Sequence, residues 1–87
     1  MLRFTLYSRS YCHLCHDMLE QLRAELNGAE HNIEIIDIDL DGNEELLEKY
    51  DELVPVLCAI DAHKQTHQLC HYFLDRDKLT AYRVSQS

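Results

Sequence analysis

The chain has 87 residues, enough for one compact domain, so functions that need two domains or a long enclosed channel are excluded. Hydrophobic residues make up 46% and charged residues 28%, a composition typical of globular proteins. The formal net charge is -8 and the basic residues are scattered singly, which excludes nucleic acids and anionic membranes as expected partners.

The first half of the chain predicts a strand, a helix and a second strand. Alternating polar and apolar residues predict the first strand over residues 2–7. Apolar side chains spaced by three and four predict a helix over residues 14–26, and Gly28 suits a left-handed C-terminal cap. The β-branched segment 33–38 predicts a second strand that is buried on both faces.

A second helix and a third strand follow. The helix is predicted over residues 43–50, with Tyr50 on its inner face. Pro55, the chain's only proline, lies at the start of a strand predicted over residues 54–60. Since proline has no backbone N-H to donate to a neighbouring strand, its place at the start of a strand is the expected one.

The last part of the chain predicts a hairpin and a third helix. The third strand turns back into a fourth strand near residues 68–73, and Asp75 is the expected N-cap of the final helix, which buries Leu79. The order is therefore strand, helix, strand, helix, strand, strand, helix. This order predicts an α/β fold with a four-stranded mixed sheet and helices on both faces.

Cys12 and Cys15 form a C-x-x-C pair where the first strand gives way to the first helix. Unpaired N-H groups and the positive end of the helix dipole stabilise an anion there, so Cys12 should ionise more easily than a free cysteine. A thiolate attacks disulfides, and the second thiol can resolve the mixed disulfide that forms. The pair predicts thiol-disulfide exchange, with a structural pair or half of a zinc site as the alternative.

This pair, the order of elements and the Val54-Pro55 dipeptide together resemble the thioredoxin fold, and specifically the small glutaredoxin-like proteins. The resemblance covers essentially the whole chain. It implies that Cys12 is the nucleophile and Cys15 the resolving thiol. It also implies that Pro55 follows a cis peptide bond and faces the cysteines, and that Val54 pairs through its backbone with the substrate. Arg9 occupies the place of the family's basic residue three positions before the nucleophile.

The chain also departs from the usual glutaredoxin pattern. His13 replaces the proline that follows the nucleophile, and Leu53 replaces the threonine before Val-Pro. The only glycines are Gly28 and Gly42, so the Gly-Gly pair that binds glutathione in the family is absent. The resemblance is closest to a divergent branch of small bacterial proteins with a Cys-His-Leu-Cys site. Two electron donors are candidates. One is glutathione, as in the family, and the other is a thioredoxin-reductase-type protein.

Three residues beside the cysteines are candidate substrate-binding residues: Arg9, Tyr11 and His13. Arg9 could stabilise a thiolate or bind a substrate carboxylate, and a surface charge is the alternative. A protonated His13 would stabilise the thiolate, and a solvated side chain is the alternative. Arg9 is followed by no acid before Asp17, so the local sequence favours a thiolate at Cys12.

Two further patterns have ordinary structural interpretations. Cys58 and Cys70 are expected to be small buried apolar residues, although the hairpin leaves a second disulfide between them open. Residues 37–48 satisfy the EF-hand calcium pattern, but the segment before them is strand-like rather than helical. We therefore expect no metal site and no bound cofactor other than the redox-active cysteine pair.

The sequence as a whole predicts a thiol-disulfide oxidoreductase that acts on small-molecule or protein disulfides. A non-catalytic thioredoxin-fold binding module is the alternative, followed by a metal-binding protein. No segment has the length of a membrane span or the form of a signal peptide. We expect residues 1–87 to form one domain of a soluble, cytoplasmic monomer.

Overall fold

The computed structural model describes residues 1–10, 12–40 and 42–86. Its elements, in chain order, are β1 (Leu2–Ser8), α1 (His13–Glu25), β2 (His31–Asp37), α2 (Glu44–Tyr50), β3 (Val56–Ile60), β4 (Thr66–His71) and α3 (Arg76–Ser85). The strands form one sheet in the order β2-β1-β3-β4, in which β1 is parallel to β2 and antiparallel to β3. The predicted α/β fold with a mixed four-stranded sheet is confirmed.

The sheet is covered on both faces, as predicted. On one face, the β1 side chains of Phe4 and Leu6 pack with Met18 and Leu22 of α1 and with Leu79 of α3. The opposite face packs against α2, in a cluster formed by Ile38, Tyr50, Val56 and Cys58. Since successive strand residues face opposite sides of a sheet, β3 contributes buried residues to both clusters.

The prediction that the second strand is buried on both faces is wrong. β2 forms one edge of the sheet, its residues are exposed or half-buried, and Ile35 is 48% exposed. A β-branched run of this kind is typical of central parallel strands, but here β1 takes the central position. The fully buried isoleucine is Ile38, just beyond the end of the strand.

The two strands of the hairpin differ from their predicted limits. β3 begins at Val56, because Pro55 has no N-H to donate to a neighbouring strand. β4 spans Thr66–His71 rather than residues 68–73. It ends there because Tyr72 adopts a left-handed conformation, with φ of 65°, which turns the chain away from the sheet.

The helix ends follow the predicted signals. The side chain of Asp75 accepts a hydrogen bond of 3.1 Å from the backbone N-H of Lys78, so it caps α3. Gly28 has a φ of 87°, the left-handed conformation expected just after α1. Among the described residues, no helix is long and apolar enough to cross a membrane.

Candidate active site

Cys12 and Cys15 are joined by a disulfide bond at the start of α1, with their Cα atoms 5.2 Å apart. Cys12 is the N-cap residue and is extended, while Cys15 lies in the first turn. The Cys12 sulfur accepts a hydrogen bond of 3.1 Å from the backbone N-H of Cys15. One of the unpaired N-H groups of the first turn therefore points at this sulfur.

The two cysteines differ in accessibility. Cys12 is half-buried, whereas Cys15 is only 5% exposed. A reagent from solvent therefore reaches Cys12 first. This difference matches the chemistry of an attacking thiol at Cys12 and a protected resolving thiol at Cys15.

An open cleft of about 600 Å³ runs beside the cysteine pair. Side chains of β1, the following loop, α1 and β2 line it: Leu6, Ser8, Arg9, Cys12, His13, Cys15, His16, Leu19 and Ile35. His13 is exposed, and His16 forms an ion pair of 3.2 Å with Glu20 when its imidazole is protonated. The cleft thus combines the two sulfurs with an apolar wall on one side, provided by Leu19 and Ile35.

Arg9 is held by two carboxylates. Its Nε and Nη2 atoms donate to both carboxylate oxygens of Asp39, at 3.0 and 2.8 Å. Nη2 also lies 3.0 Å from Oδ1 of Asp51, and Nη1 donates to the backbone carbonyl of Asp51 at 3.2 Å. These hydrogen bonds raise the pKa of Arg9, and the hydrogen bond from Arg9 lowers the pKa of Asp39.

The loop before the cysteines has no acid in its own sequence, but three carboxylates from other segments contact it. Besides the carboxylates on Arg9, the Ser10 hydroxyl donates a hydrogen bond of 2.9 Å to Asp37. Asp39 and Asp51 are 30 and 42 positions from Arg9 in the sequence. No local pattern could have revealed them, because only the sheet topology brings these segments together.

Val54 and Pro55 lie in the segment that leads into β3. The peptide bond between them is cis, and Pro55 is fully buried. The N-H of Val54 donates to the carbonyl of Tyr50 at 3.2 Å, and the carbonyl of Pro55 accepts from the N-H of Tyr72 at 2.9 Å. The segment is therefore fixed between the end of α2 and the loop after β4.

Tyr72 holds the segment around Pro55 in a way that sequence reasoning missed. Its hydroxyl donates a hydrogen bond to the carbonyl of Glu52, so this side chain spans the segment before Pro55. The available signal was the bulky sequence 70–74, in the region where the family resemblance implies a Gly-Gly pair. Tyr11, predicted to bind substrate, lies outside the described residues, and its role stays a prediction.

Cys58 and Cys70 are free, buried thiols. Cys58 belongs to the cluster under α2, and Cys70 to the cluster on the other face of the sheet. Burial raises the pKa of both thiols. The sheet separates the two sulfurs, so the second disulfide that the sequence left open does not form in this fold.

Residues 3–82 match a protein family described as "Glutaredoxin-like domain (DUF836)". A comparison with curated proteins finds no match. Among solved structures, the solution NMR structure of protein Ne2328 from Nitrosomonas europaea is similar, with 41% sequence identity and a TM-score of 0.77. The similarity covers 93% of this chain and 89% of that one.

More distant structures share the fold. Chloroplastic thioredoxin z has 21% identity and a TM-score of 0.62, over 98% of this chain and 77% of that one. The thioredoxin Deadhead from Drosophila melanogaster has 22% identity and a TM-score of 0.55, over 99% and 81%. The predicted thioredoxin-like fold is thereby confirmed.

Proposed function

The chain belongs to the glutaredoxin-like family (DUF836), and from that membership we propose that it is a thiol-disulfide oxidoreductase whose reacting groups are Cys12 and Cys15. The observation that carries this proposal is the cysteine pair itself. Its two sulfurs are bonded to each other at a helix start, and Cys12, the first of the two residues, is partly exposed. A dithiol that can close into a disulfide in this way can transfer two electrons to another disulfide.

The proposed reaction begins with the reduced pair. The Cys12 thiolate attacks one sulfur of the substrate disulfide, forming a mixed disulfide and releasing the other sulfur as a thiolate, which takes a proton from solvent. Cys15 then gives its proton to solvent and attacks the Cys12 sulfur. The mixed disulfide breaks, the second substrate sulfur leaves as a thiolate that takes a proton from solvent, and the Cys12-Cys15 disulfide forms. Two electrons have passed from the pair to the substrate.

The start of α1 supports both steps. The Cys15 N-H and the positive end of the helix dipole stabilise negative charge on the Cys12 sulfur as the attacking thiolate of the first step, and again when this sulfur is released as the oxidised pair is reduced. Burial protects Cys15 from outside reagents, so it reacts with its neighbour within the same molecule. As the family resemblance implies, Val54 and Pro55 receive the substrate segment. The proposal adds Arg9, Tyr11 and His13, the sequence candidates beside the cysteines, as further substrate-binding residues.

A turnover ends with the oxidised pair, so a second thiol or dithiol must reduce it again. Glutathione and a thioredoxin-reductase-type protein are the two candidate donors, and each would supply the two electrons through its own oxidation. The proposal includes a cytoplasmic location, where such donors are present, and a monomer that uses no cofactor beyond the cysteine pair.

The test is reduction of insulin disulfides with dithiothreitol as the reductant. We expect Cys12→Ser to abolish the activity and Cys15→Ser to stop at a mixed disulfide that mass spectrometry can detect. Cys70→Ala is the control, because this buried thiol should leave the activity in place. Full reduction of insulin by Cys12→Ser would overturn the proposal, and stoichiometric partner binding without either site cysteine would favour the binding module.

A further inference from the structure

The cysteine pair lies at a strongly acidic end of the sheet. The register places the ends of β1, β2 and β4 beside the start of β3, so their connecting segments meet there. In the described residues, these strand ends and segments contribute five carboxylates: Asp37, Asp39, Asp51, Glu52 and Asp75. Outside the adjoining helices the described segments contribute one arginine, Arg9, and no lysine. The helix α2 adds three glutamates and Lys49, and the first residues of α3 add Arg76, Asp77 and Lys78. We call the group of five carboxylates the acidic end.

Arg9 offsets only one of these negative charges, and its side chain is used in contacts within the protein. Its guanidinium already donates to Asp39 through two nitrogens and contacts Asp51 through a third interaction. Four of its five N-H groups are used in these contacts and in the one to the Asp51 carbonyl, so a substrate carboxylate could not form a two-nitrogen contact with Arg9 without displacing a partner. The acidic end therefore offers little to an anionic substrate, because its arginine is used within the protein.

The opposite end of the sheet has a different balance of acidic and basic residues. A depression of about 950 Å³ there is lined by three basic residues, Arg3, Lys64 and Arg83, and by two acids, Glu30 and Asp61. The net negative charge of the described residues is thus unevenly distributed. Negative charge collects on the side of the molecule that carries the reacting sulfurs.

Apolar side chains accompany this charge. Leu14, beside Cys15, is 38% exposed, and Ile35 in the cleft is 48% exposed. Phe73 is 69% exposed and follows Tyr72, which bonds to the carbonyl of Pro55. Exposed apolar side chains of this kind offer contacts to a protein segment.

We propose that the substrate of this site is a disulfide carried by a positively charged protein segment, and not glutathione disulfide. This inference rests on the proposed function. Glutathione disulfide is a net anion at neutral pH, so the acidic end repels it, whereas a segment rich in lysine or arginine is attracted. The electron transfer is the one described above, with the protein disulfide accepting two electrons and releasing two thiols.

The test compares three disulfides in single turnovers of the reduced protein. Two are synthetic, internally quenched peptide disulfides that differ only in having lysine or glutamate beside the cysteines, and the third is glutathione disulfide. At an ionic strength of about 10 mM, we expect the lysine peptide to react about 10-fold faster than the glutamate peptide. Near 1 M, the ratio should fall towards one, because salt screens charges beyond about 3 Å.

Charge-reversal variants locate the effect. Glu52→Lys changes the acidic end, and its side chain is exposed while only its backbone carbonyl bonds to Tyr72. It should lower the preference for the lysine peptide at least about twofold at low salt. Glu30→Lys makes the same change in net charge at the opposite end of the sheet and should leave the preference intact.

The outcomes separate this inference from the proposed function. Equal rates for both peptides, or faster reduction of glutathione disulfide, would overturn the inference and leave the oxidoreductase in place. Failure to reduce any of the three disulfides, together with failure to reduce insulin, would overturn both. A lysine preference that does not change with salt would also contradict the inference, because it would not arise from charge.

Discussion

Cys58 and Cys70 lie on neighbouring strands, but their side chains face opposite sides of the sheet. Cys70 pairs with Leu57, and Cys58 pairs with Gln68, with a register shift between the two pairs. Because side chains alternate along a strand, a shift of one residue moves a side chain to the other face. This register assigns the two thiols to different hydrophobic clusters.

The oxidised protein should therefore contain two thiols, Cys58 and Cys70. We expect them to react very slowly with Ellman's reagent in the native state, since burial raises their pKa and blocks access. Both should react at once in guanidinium chloride. Absence of free thiols in the denatured, unreduced protein would show that a second disulfide forms and that the described register is wrong.

Arg9→Gln should lower the melting temperature, because it removes the link between the loop after β1 and the loops that carry Asp39 and Asp51. The rate at which iodoacetamide alkylates reduced Cys12 should change little, since two carboxylates already balance the arginine. Arg9→Lys is the comparison, and it should not restore the two-nitrogen contact to Asp39. A large loss of alkylation rate in Arg9→Gln at an unchanged melting temperature would instead show that Arg9 stabilises the Cys12 thiolate.

Asp61 makes the stability of the hairpin depend on pH. Its carboxylate accepts from His67 at 2.7 Å and from the N-H groups of His63 and Gln65, and these bonds lower its pKa below the ordinary value of 3.8. Because the pKa of Asp61 is lower in the folded than in the unfolded protein, its carboxylate stabilises the fold above pH 3.8. This stabilisation is lost as the pH falls through the pKa of Asp61 in the folded protein. Asp61→Asn should be less stable than the wild type at pH 6, and the difference should narrow below about pH 3.8.

Urea unfolding at several pH values measures the difference in stability between Asp61→Asn and the wild type. The difference in stability between His67→Ala and the wild type should also narrow as the pH falls, although by less. The reason is that the hydrogen bond from His67 is the largest cause of the lowered pKa of Asp61. Gln68→Ala, on the same strand, leaves the partners of Asp61 in place and serves as the control. A constant difference between Asp61→Asn and the wild type across this pH range would contradict the assignment.

Leu22 and Leu40 provide a matched pair for the hydrophobic core. Leu22 of α1 is 0% exposed, whereas Leu40, between β2 and α2, is 60% exposed. Leu22→Ala should lower the free energy of unfolding by about 2–5 kcal/mol, because it removes buried methyl groups and leaves a cavity. Leu40→Ala should change it by no more than about 0.5 kcal/mol. Similar losses in urea denaturation would mean that α1 does not cover this face of the sheet.

The order of elements and the place of the cysteine pair could be predicted because their signals are local. Helix periodicity, the glycine after α1 and the N-cap at Asp75 each act within a few residues. The same holds for Cys12 and Cys15, whose position at a helix start follows from the apolar pattern that begins at Leu14.

Other features could not be predicted because they depend on which strands become neighbours. The edge position of β2 is decided by β1 pairing with β3, and the composition of residues 33–38 favours the opposite result. The contacts of Arg9 with Asp39 and Asp51 likewise require three separate segments to meet. Neither the strand order nor these contacts can be read from a short stretch of sequence.

The site is attached to the two central strands. Cys12 follows β1 and Pro55 precedes β3, and these strands are hydrogen-bonded to each other between β2 and β4. Edge strands open locally at lower free energy than central strands do, and such openings are seen as faster amide hydrogen exchange. Fraying of β2 or β4 can therefore occur while Cys12 and Pro55 keep their relative positions. Redox activity should persist under mild denaturing conditions in which the backbone amides of β2 and β4 already exchange rapidly with solvent.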